Sequence, residues 1–333
     1  MKIILAGVFN VPWSTNHSMK KHLERLGHQV LPFEVDWSHP RPLSFGERLW
    51  FKLSSAAKAQ SLGKKLLWMA QTQEPDAAII VKGKRLDPGV TKTLARQTLV
   101  AYRYMDAPLL PYVAGHARAS QVVLVTGGHL IEPLSGLTGR DNVHQLLEGC
   151  DPEIHRPANY GEAYACDIAF VGAPAPDRIS ILRSCQRAGH KVKIWGQPGW
   201  PRDLDYTGKF AYGQELARVC ASAKIILGIN SRNDCPDYFS DRAFLILACR
   251  GFLLTHYVPG LEKYFDDHKH LVWFKDLDGM LEMIGKYIND GPSRAKIAEA
   301  GQALVYQRYT WEKSMRAMME FIGHYKGNTP NRQ

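Results

Sequence analysis

Short, unbroken apolar runs alternate with amphipathic stretches along this chain, and they do so twice. KIILA (2–6) reads as a buried strand, and a polar loop, FNVPWSTNHS, leads from it into a helix from about Ser18 to Leu26. Gly27 stops that helix and HQVLPF returns as a strand. An amphipathic stretch over roughly 45–72 precedes AAIIV (77–81); a helix near 88–96 precedes TLVAY (98–102); QVVLV (121–125) is a further strand. Strands that are apolar on both faces, and separated by helices, predict a parallel sheet. The pattern restarts at CDIAFVG (166–172), followed by a helix from about Asp177 to Ala188 and the strand KVKIWG (191–196).

Arg25-Leu26-Gly27-His28-Gln29-Val30 is echoed by Arg187-Ala188-Gly189-His190-Lys191-Val192. Each is a helix end, a glycine suited to a left-handed cap and a strand start. The reading is α/β, with two Rossmann-like domains that each open on a βαβ unit. GCDPEIHRPANYGEA, polar and rich in turn formers, marks the boundary. The expected division is 1–160 and 161–310.

The 333 residues suffice for two domains of ordinary size. The six cysteines are scattered without a CxxC pair, which argues against a disulfide framework or zinc knuckle and suits a reducing cytoplasm. No apolar run is long enough to span a membrane, and the opening MKIILAGVFNVPW reads as a strand and not as a secretory signal. The net charge of +10 is uneven. Residues 1–150 carry 18 Lys and Arg against 11 Asp and Glu, and residues 151–333 carry 24 against 21. Such an excess attracts anionic partners or is simply a basic soluble surface; Lys82, Lys84 and Arg85 form its tightest knot. No GxSxG, HExxH or P-loop pattern is present. DLD occurs at 203–205 and 276–278, and the second copy opens a predicted helix, so Asp276 and Asp278 read as capping charges and not metal ligands.

Residues 237–311 carry the most specific signal: a helix starting near Ser240 and ending at Gly251, the strand FLLT (252–255), the turn PGLE (259–262), the strand HLVWF (270–274), a helix opening at DLDGM, and SRAKIAEAGQALVYQRYTW. This succession resembles the C-terminal half of a GT-B glycosyltransferase of the CgeB-like branch, named for a spore-maturation protein. The resemblance implies two Rossmann-like domains whose parallel sheets face each other across a cleft, with a helix over 311–330 returning to the first domain. It also implies a cytoplasmic enzyme that transfers a hexosyl or pentosyl unit from a nucleoside-diphosphate sugar, a UDP-sugar first, with no obligatory cofactor or metal. The acceptor is open: a protein, a glycan, a small molecule or, given the basic N-terminal half, modified DNA.

The same resemblance assigns residues. Gly172 and Arg178 would face the donor from the turn after CDIAFVG; Trp195 and Gly196 close the next strand; Asn230 and Tyr238 belong to the donor loop. Related families carry two glutamates separated by seven residues. Here Asp237 takes the first position and Leu245 the second, and Asp241, one turn before Leu245, is the available substitute. Ser240 would cap the helix and Arg242 would hold the diphosphate. Pro259, Gly260, Leu261 and Glu262 would line the pocket as a loop at a strand's carboxyl end. His17, Asp106 and His129, each after a predicted strand, are the candidates for the base that deprotonates the acceptor. The plainer readings are a solvated Arg178 beside a capping Asp177, an Arg242 paired with Asp237 or Asp241, and PGLE as an ordinary turn. Two other functions compete: a protein that binds the nucleotide sugar without turnover, motivated by Leu245, and a GT-B sugar-nucleotide epimerase.

Overall fold

The computed structural model describes residues 1–36, 45–230 and 232–326, with side chains described outside 45–54 and Lys326. The chain forms two units, Met1–Leu147 together with the segment from Trp311 onward, and Glu148–Thr310.

The first unit runs β1 (Lys2–Gly7), α1 (Thr15–Arg25), β2 (Gln29–Glu34), α2 (Phe45–Gln73), β3 (Ala77–Val81), α3 (Pro88–Leu94), β4 (Leu99–Tyr104), α4 (Pro111–Ala119), β5 (Val122–Val125), α5 (Ile131–Thr138) and β6 (Val143–Gln145). Its strands lie in the order β2-β1-β3-β4-β5-β6, all parallel. Side chains alternate across each strand, so the sheet feeds two cores. Ile4, Ile80, Tyr102 and Val123 pack with Leu66 of α2, Leu94 of α3 and Val113 of α4 on one face.

The second unit runs β7 (Cys166–Gly172), α6 (Pro176–Arg187), β8 (Val192–Gly196), α7 (Gln214–Ser222), β9 (Ala223–Gly228), α8 (Arg242–Ala248), β10 (Leu253–His256), β11 (Val272–Phe274), α9 (Leu277–Tyr287) and α10 (Gly291–Arg308). Its parallel order is β11-β10-β9-β7-β8. The chain then returns to the first unit as α11 (Trp311–Lys326). Trp311, Met315, Met318 and Ile322 fill the second core there, against Ile3, Leu5 and Leu23. Residues 327–330 of the expected helix lie outside the described residues.

The echoed turns are the same motif. Gly27 (φ 83°) donates to Glu24 O and His28 N to Leu23 O; Gly189 (φ 87°) donates to Gln186 O and His190 N to Cys185 O. Both are Schellman caps, which place glycine where an L side chain is strained. The end of α8 differs from the expectation. Arg250, not Gly251, takes the left-handed position (φ 60°), and the helix closes at Ala248. Gly251 is held by contact instead: an added Cβ would lie 2.9 Å from Ile246 Cγ2 and 3.0 Å from Cys220 Sγ.

The unit boundary falls earlier than residue 160. Cys150 N donates to Tyr309 O at 2.9 Å and Tyr306 OH donates to His155 O at 2.8 Å, which ties residues 148–160 to α10. Among the described residues no helix is long and apolar enough to cross a membrane.

Candidate functional site

In an open parallel sheet the ligand crevice lies at the carboxyl ends of the strands where the order reverses. In the second unit that point falls between β7 and β9, because β8 lies on the other side of β7. A narrow recess with a cavity volume of ≈ 20 Å³ opens there, lined by Val171, Gly228, Asn230, Ser240, Arg242 and Leu261 among others.

Arg178 sits in the first turn of α6 and is buried, at 8% exposure. Its Nε and Nη2 donate to Ile229 O at 3.2 and 3.0 Å, and its Nη1 donates to Ala173 O at 3.0 Å. The guanidinium also lies 5.6 Å from the centre of the Phe170 ring. It therefore staples the ends of β7 and β9 together. Burial, and then the nearby positive charge of Arg242, lower its pKa to about 10. Neither guanidinium has a carboxylate partner among the described residues. Of the acids in the same loop, Asp237 pairs with Lys263 at 2.8 Å and Asp234 with Arg232 at 2.5 Å, while Asp241, next to Arg242, accepts from Ser240 Oγ at 3.3 Å.

Arg242 is positioned by the loop before it. Asn230 Oδ1 accepts from Ser240 N at 3.1 Å, which ties the end of β9 to the entry of α8. Ser240 Oγ accepts from Arg242 N at 3.4 Å. The helix begins at Arg242, so Ser240 stands two residues ahead of its first turn and not at the cap position itself. Asp241 and Leu245 are half-buried one turn apart.

The PGLE turn packs directly on Asp237. Asp237 adopts φ 56° and donates its N–H to Pro259 O at 2.8 Å. Gly260, at φ 91°, lies so close that an added Cβ would sit 2.1 Å from Asp237 Oδ1. That oxygen is buried and accepts no hydrogen bond among the described residues. Leu261 lines the recess, and Glu262 accepts from Tyr257 OH at 3.0 Å, outside the lining. Tyr238 is half-buried in the same loop.

Gly172 and Gly196 are register partners at the ends of β7 and β8, and a Cβ on Gly196 would meet Gly172 O at 2.1 Å. Trp195 does not reach the recess surface. It is 1% exposed and stacks on Tyr164 at 6.3 Å, because its strand position points into the core.

Sequence reasoning missed a pair of aromatics. After β8 the chain runs alongside that strand, Thr207 N donating to Ile194 O and Gly196 N to Lys209 O. It then presents Phe210 and Tyr212, 36% and 42% exposed, stacked with centroids 6.0 Å apart and planes at 22°. Burial raises the Tyr212 pKa, with opposing contributions from Arg242 and Asp241, which places the ring beside them. The signal was available in TGKFAYG: two aromatics spaced by two between glycines, exposed in an extended segment.

Of the three base candidates in the first unit, Asp106 and His129 follow the ends of β4 and β5, whereas His17 lies in the first turn of α1 and not in the loop before it. His17 Nε2 lies 3.1 Å from Phe9 O. Since the carbonyl must accept, Nε2 carries a proton, which leaves Nδ1 as the nitrogen that can act as a base. Asp106, two residues beyond β4, accepts from Lys82 Nζ at 2.8 Å. His129 lies in the short turn Gly128–Leu130 after β5. The second DLD caps α9, with Asp276 Oδ1 accepting from Gly279 N at 2.8 Å, and Asp203 of the first pairs with Arg183 at 2.7 Å.

A sequence family described as glycosyl transferase-like matches residues 178–320. No curated protein sequence matches the chain significantly. Solved structures share its fold over nearly the whole length. Sucrose-phosphate synthase from Thermosynechococcus elongatus aligns at a TM-score of 0.72 and 12% identity, covering 98% of this chain and 100% of that one. HepE from Anabaena, solved with UDP and glucose, aligns at 0.70 and 13%, covering 97% and 99%. The catalytic domain of starch synthase IV from Arabidopsis thaliana, bound to ADP and acarbose, aligns at 0.71 and 10%, covering 98% and 99%. The class is thereby fixed at the level of architecture: two Rossmann-like units of the GT-B glycosyltransferase fold.

Proposed function

We propose that this protein transfers a sugar from a nucleoside-diphosphate donor and belongs to the CgeB-like branch of the GT-B glycosyltransferases. The observation that carries the proposal is the juxtaposed pair Arg178 and Arg242 at the reversal point of the second sheet. Two guanidiniums near each other at the recess, neither in an ion pair with a carboxylate among the described residues, form a site completed by an anion. A diphosphate suits it, since Arg242 can offer two parallel N–H donors. Arg178, whose donors are held by backbone carbonyls, acts through its charge and by holding the strand ends in place.

In this reading the exposed Phe210–Tyr212 pair takes the base, Arg242 the diphosphate, and Asp237 with the PGLE turn the transferred sugar. The buried Asp237 Oδ1 is an acceptor suited to a sugar hydroxyl. As the glycosidic bond to phosphate breaks, negative charge grows on the leaving diphosphate, where Arg242 stabilises it without a metal. In the same reading the first unit binds the acceptor and supplies its base. His17 suits that role through Nδ1, because its other nitrogen is fixed as a donor. HepE was solved with UDP and glucose, which supports trying UDP-glucose first, with ADP- and other UDP-sugars beside it.

Leu245 favours the competing reading of a donor-binding protein without turnover. Thermal unfolding against a panel of nucleoside diphosphates and their sugars tests the donor site. A ligand at about 100 times its Kd adds about 2.7 kcal/mol. A selective rise in Tm with one nucleotide sugar supports the site, and no rise with any overturns it. Release of free nucleotide on incubation with acceptors then separates enzyme from binder.

A further inference from the structure

The helical layer on one face of the first sheet carries a surface that the transferase reading does not use. Among the exposed positions in the described part of α2, Ala57, Ser61, Lys64, Lys65, Trp68 and Thr72 follow one stripe along the helix. Trp68 is 66% exposed, more than any other large hydrophobic side chain among the described residues. No acidic residue lies in the sequence between Glu47 and Glu74. Helix α3 packs alongside, with Gly63 of α2 against Val90 of α3, where an added Cβ would lie 2.5 Å from Val90 Cγ2. From α3 and the residues just after it, Lys92 and Arg96 also face solvent. Lys64, Lys65, Lys92 and Arg96 have no carboxylate partner among the described residues. Across 55–96 the sequence holds eight Lys and Arg against three Asp and Glu.

A soluble surface can be basic without a partner, and it can hold one exposed aromatic. The combination is more specific. A tryptophan left in water on a rigid helix, flanked one turn away by two uncompensated lysines, matches the chemistry of a bilayer interface. There the indole sits at the level of the headgroups and ammonium groups reach lipid phosphates. A nucleic-acid duplex uses the lysines but gives the indole nothing, because a helix face with its ring standing out does not stack on paired bases. A neutral protein partner uses the ring but leaves the lysines unsatisfied. We propose that the α2–α3 face, with Trp68 at its centre, docks the protein on an anionic phospholipid bilayer.

The test is partition of the full chain onto sedimented vesicles of phosphatidylcholine alone and of phosphatidylcholine mixed with phosphatidylglycerol. Binding is expected only to the mixed vesicles and should weaken as salt rises. Each juxtamembrane lysine is worth about fivefold in partition, so Lys64→Gln with Lys65→Gln should lose about 25-fold. Both side chains are exposed, so the far-UV spectrum and Tm of that variant should match the parent. Trp68→Phe should keep much of the binding while reducing the blue shift in tryptophan emission seen with the parent on mixed vesicles. Equal partition to both vesicle types, or none to either, overturns the proposal. So does a Lys64→Gln/Lys65→Gln variant that binds like the parent, or a duplex DNA that the parent retains and this variant releases while vesicles are ignored. The readout is independent of donor binding, so its failure leaves the transferase reading intact.

Discussion

Both sheets have a point where their strand order reverses, and the charged groups beside the two points are arranged in opposite ways. In the first unit the cations there are neutralised: Lys82 by Asp106 and Arg85 by Asp36, each at 2.8 Å. In the second unit Arg178 and Arg242 stand near each other without a carboxylate. One scaffold therefore yields two kinds of floor. A self-neutralised floor suits a polar substrate and proton transfer; an uncompensated one suits an anion.

The comparison is sharpened first at Arg178. Arg178→Met removes three hydrogen bonds and orphans the carbonyls of Ile229 and Ala173, so chemical denaturation should show a loss of about 2–4 kcal/mol. If stability is unchanged, the staple is not what joins β7 to β9. Arg242→Ala should leave Tm alone and weaken UDP binding by about 1.5–3 kcal/mol in calorimetry. Lys82→Ala should leave UDP affinity untouched, and equal losses from the two would erase the contrast between the two points. Gly260→Ala forces a Cβ against Asp237 at a φ that side chains avoid, costing about 1–3 kcal/mol of stability. Phe210→Ala and Tyr212→Ala should each cost about 1–3 kcal/mol in UDP binding and little for ribose phosphate, measured by competition.

The smallest effect is on pH. Burial holds His116 and His256 below their ordinary pKa, one in each unit. The unfolded chain then binds protons that the native state refuses. Stability is full above the unfolded pKa of 6.5 and falls as pH drops through it. His116, fixed between Thr91 Oγ1 and Gly83 O, should dominate, and His116→Gln should flatten the slope of Tm with pH between 7 and 5. A slope unchanged by that variant assigns acid sensitivity elsewhere.

Strands were legible because both of their faces are buried. AAIIV and CDIAFVG were read at their true limits, since a parallel strand is a continuous apolar run. The Schellman glycines were legible because their conformation excludes most side chains. The end of α8 was not, because Arg250 takes the strained position while Gly251 serves packing, and a sequence shows the residue without its φ. Trp195 was named beside Gly196 as a donor contact, although strand alternation buries it. Arg178 and Arg242 were both named, yet their mutual repulsion exists only once two segments 64 positions apart meet. The Phe210–Tyr212 pair was overlooked for a related reason: exposure comes from the path of the chain along β8.

Helix α11 has a consequence for how the protein is made. It covers the α1 side of the first sheet with Trp311, Met315, Met318 and Ile322, and its Ser314 hydroxyl donates to Leu147 O at 2.7 Å. A ribosome must therefore complete the whole of Glu148–Thr310 before that apolar face receives its cover. At about 5–20 residues per second the wait is about ten to thirty seconds. During it the nascent first unit offers Leu5, Leu23 and Ile79 to whatever apolar surface is near, a window in which chaperones, and not the chain itself, keep it from sticking.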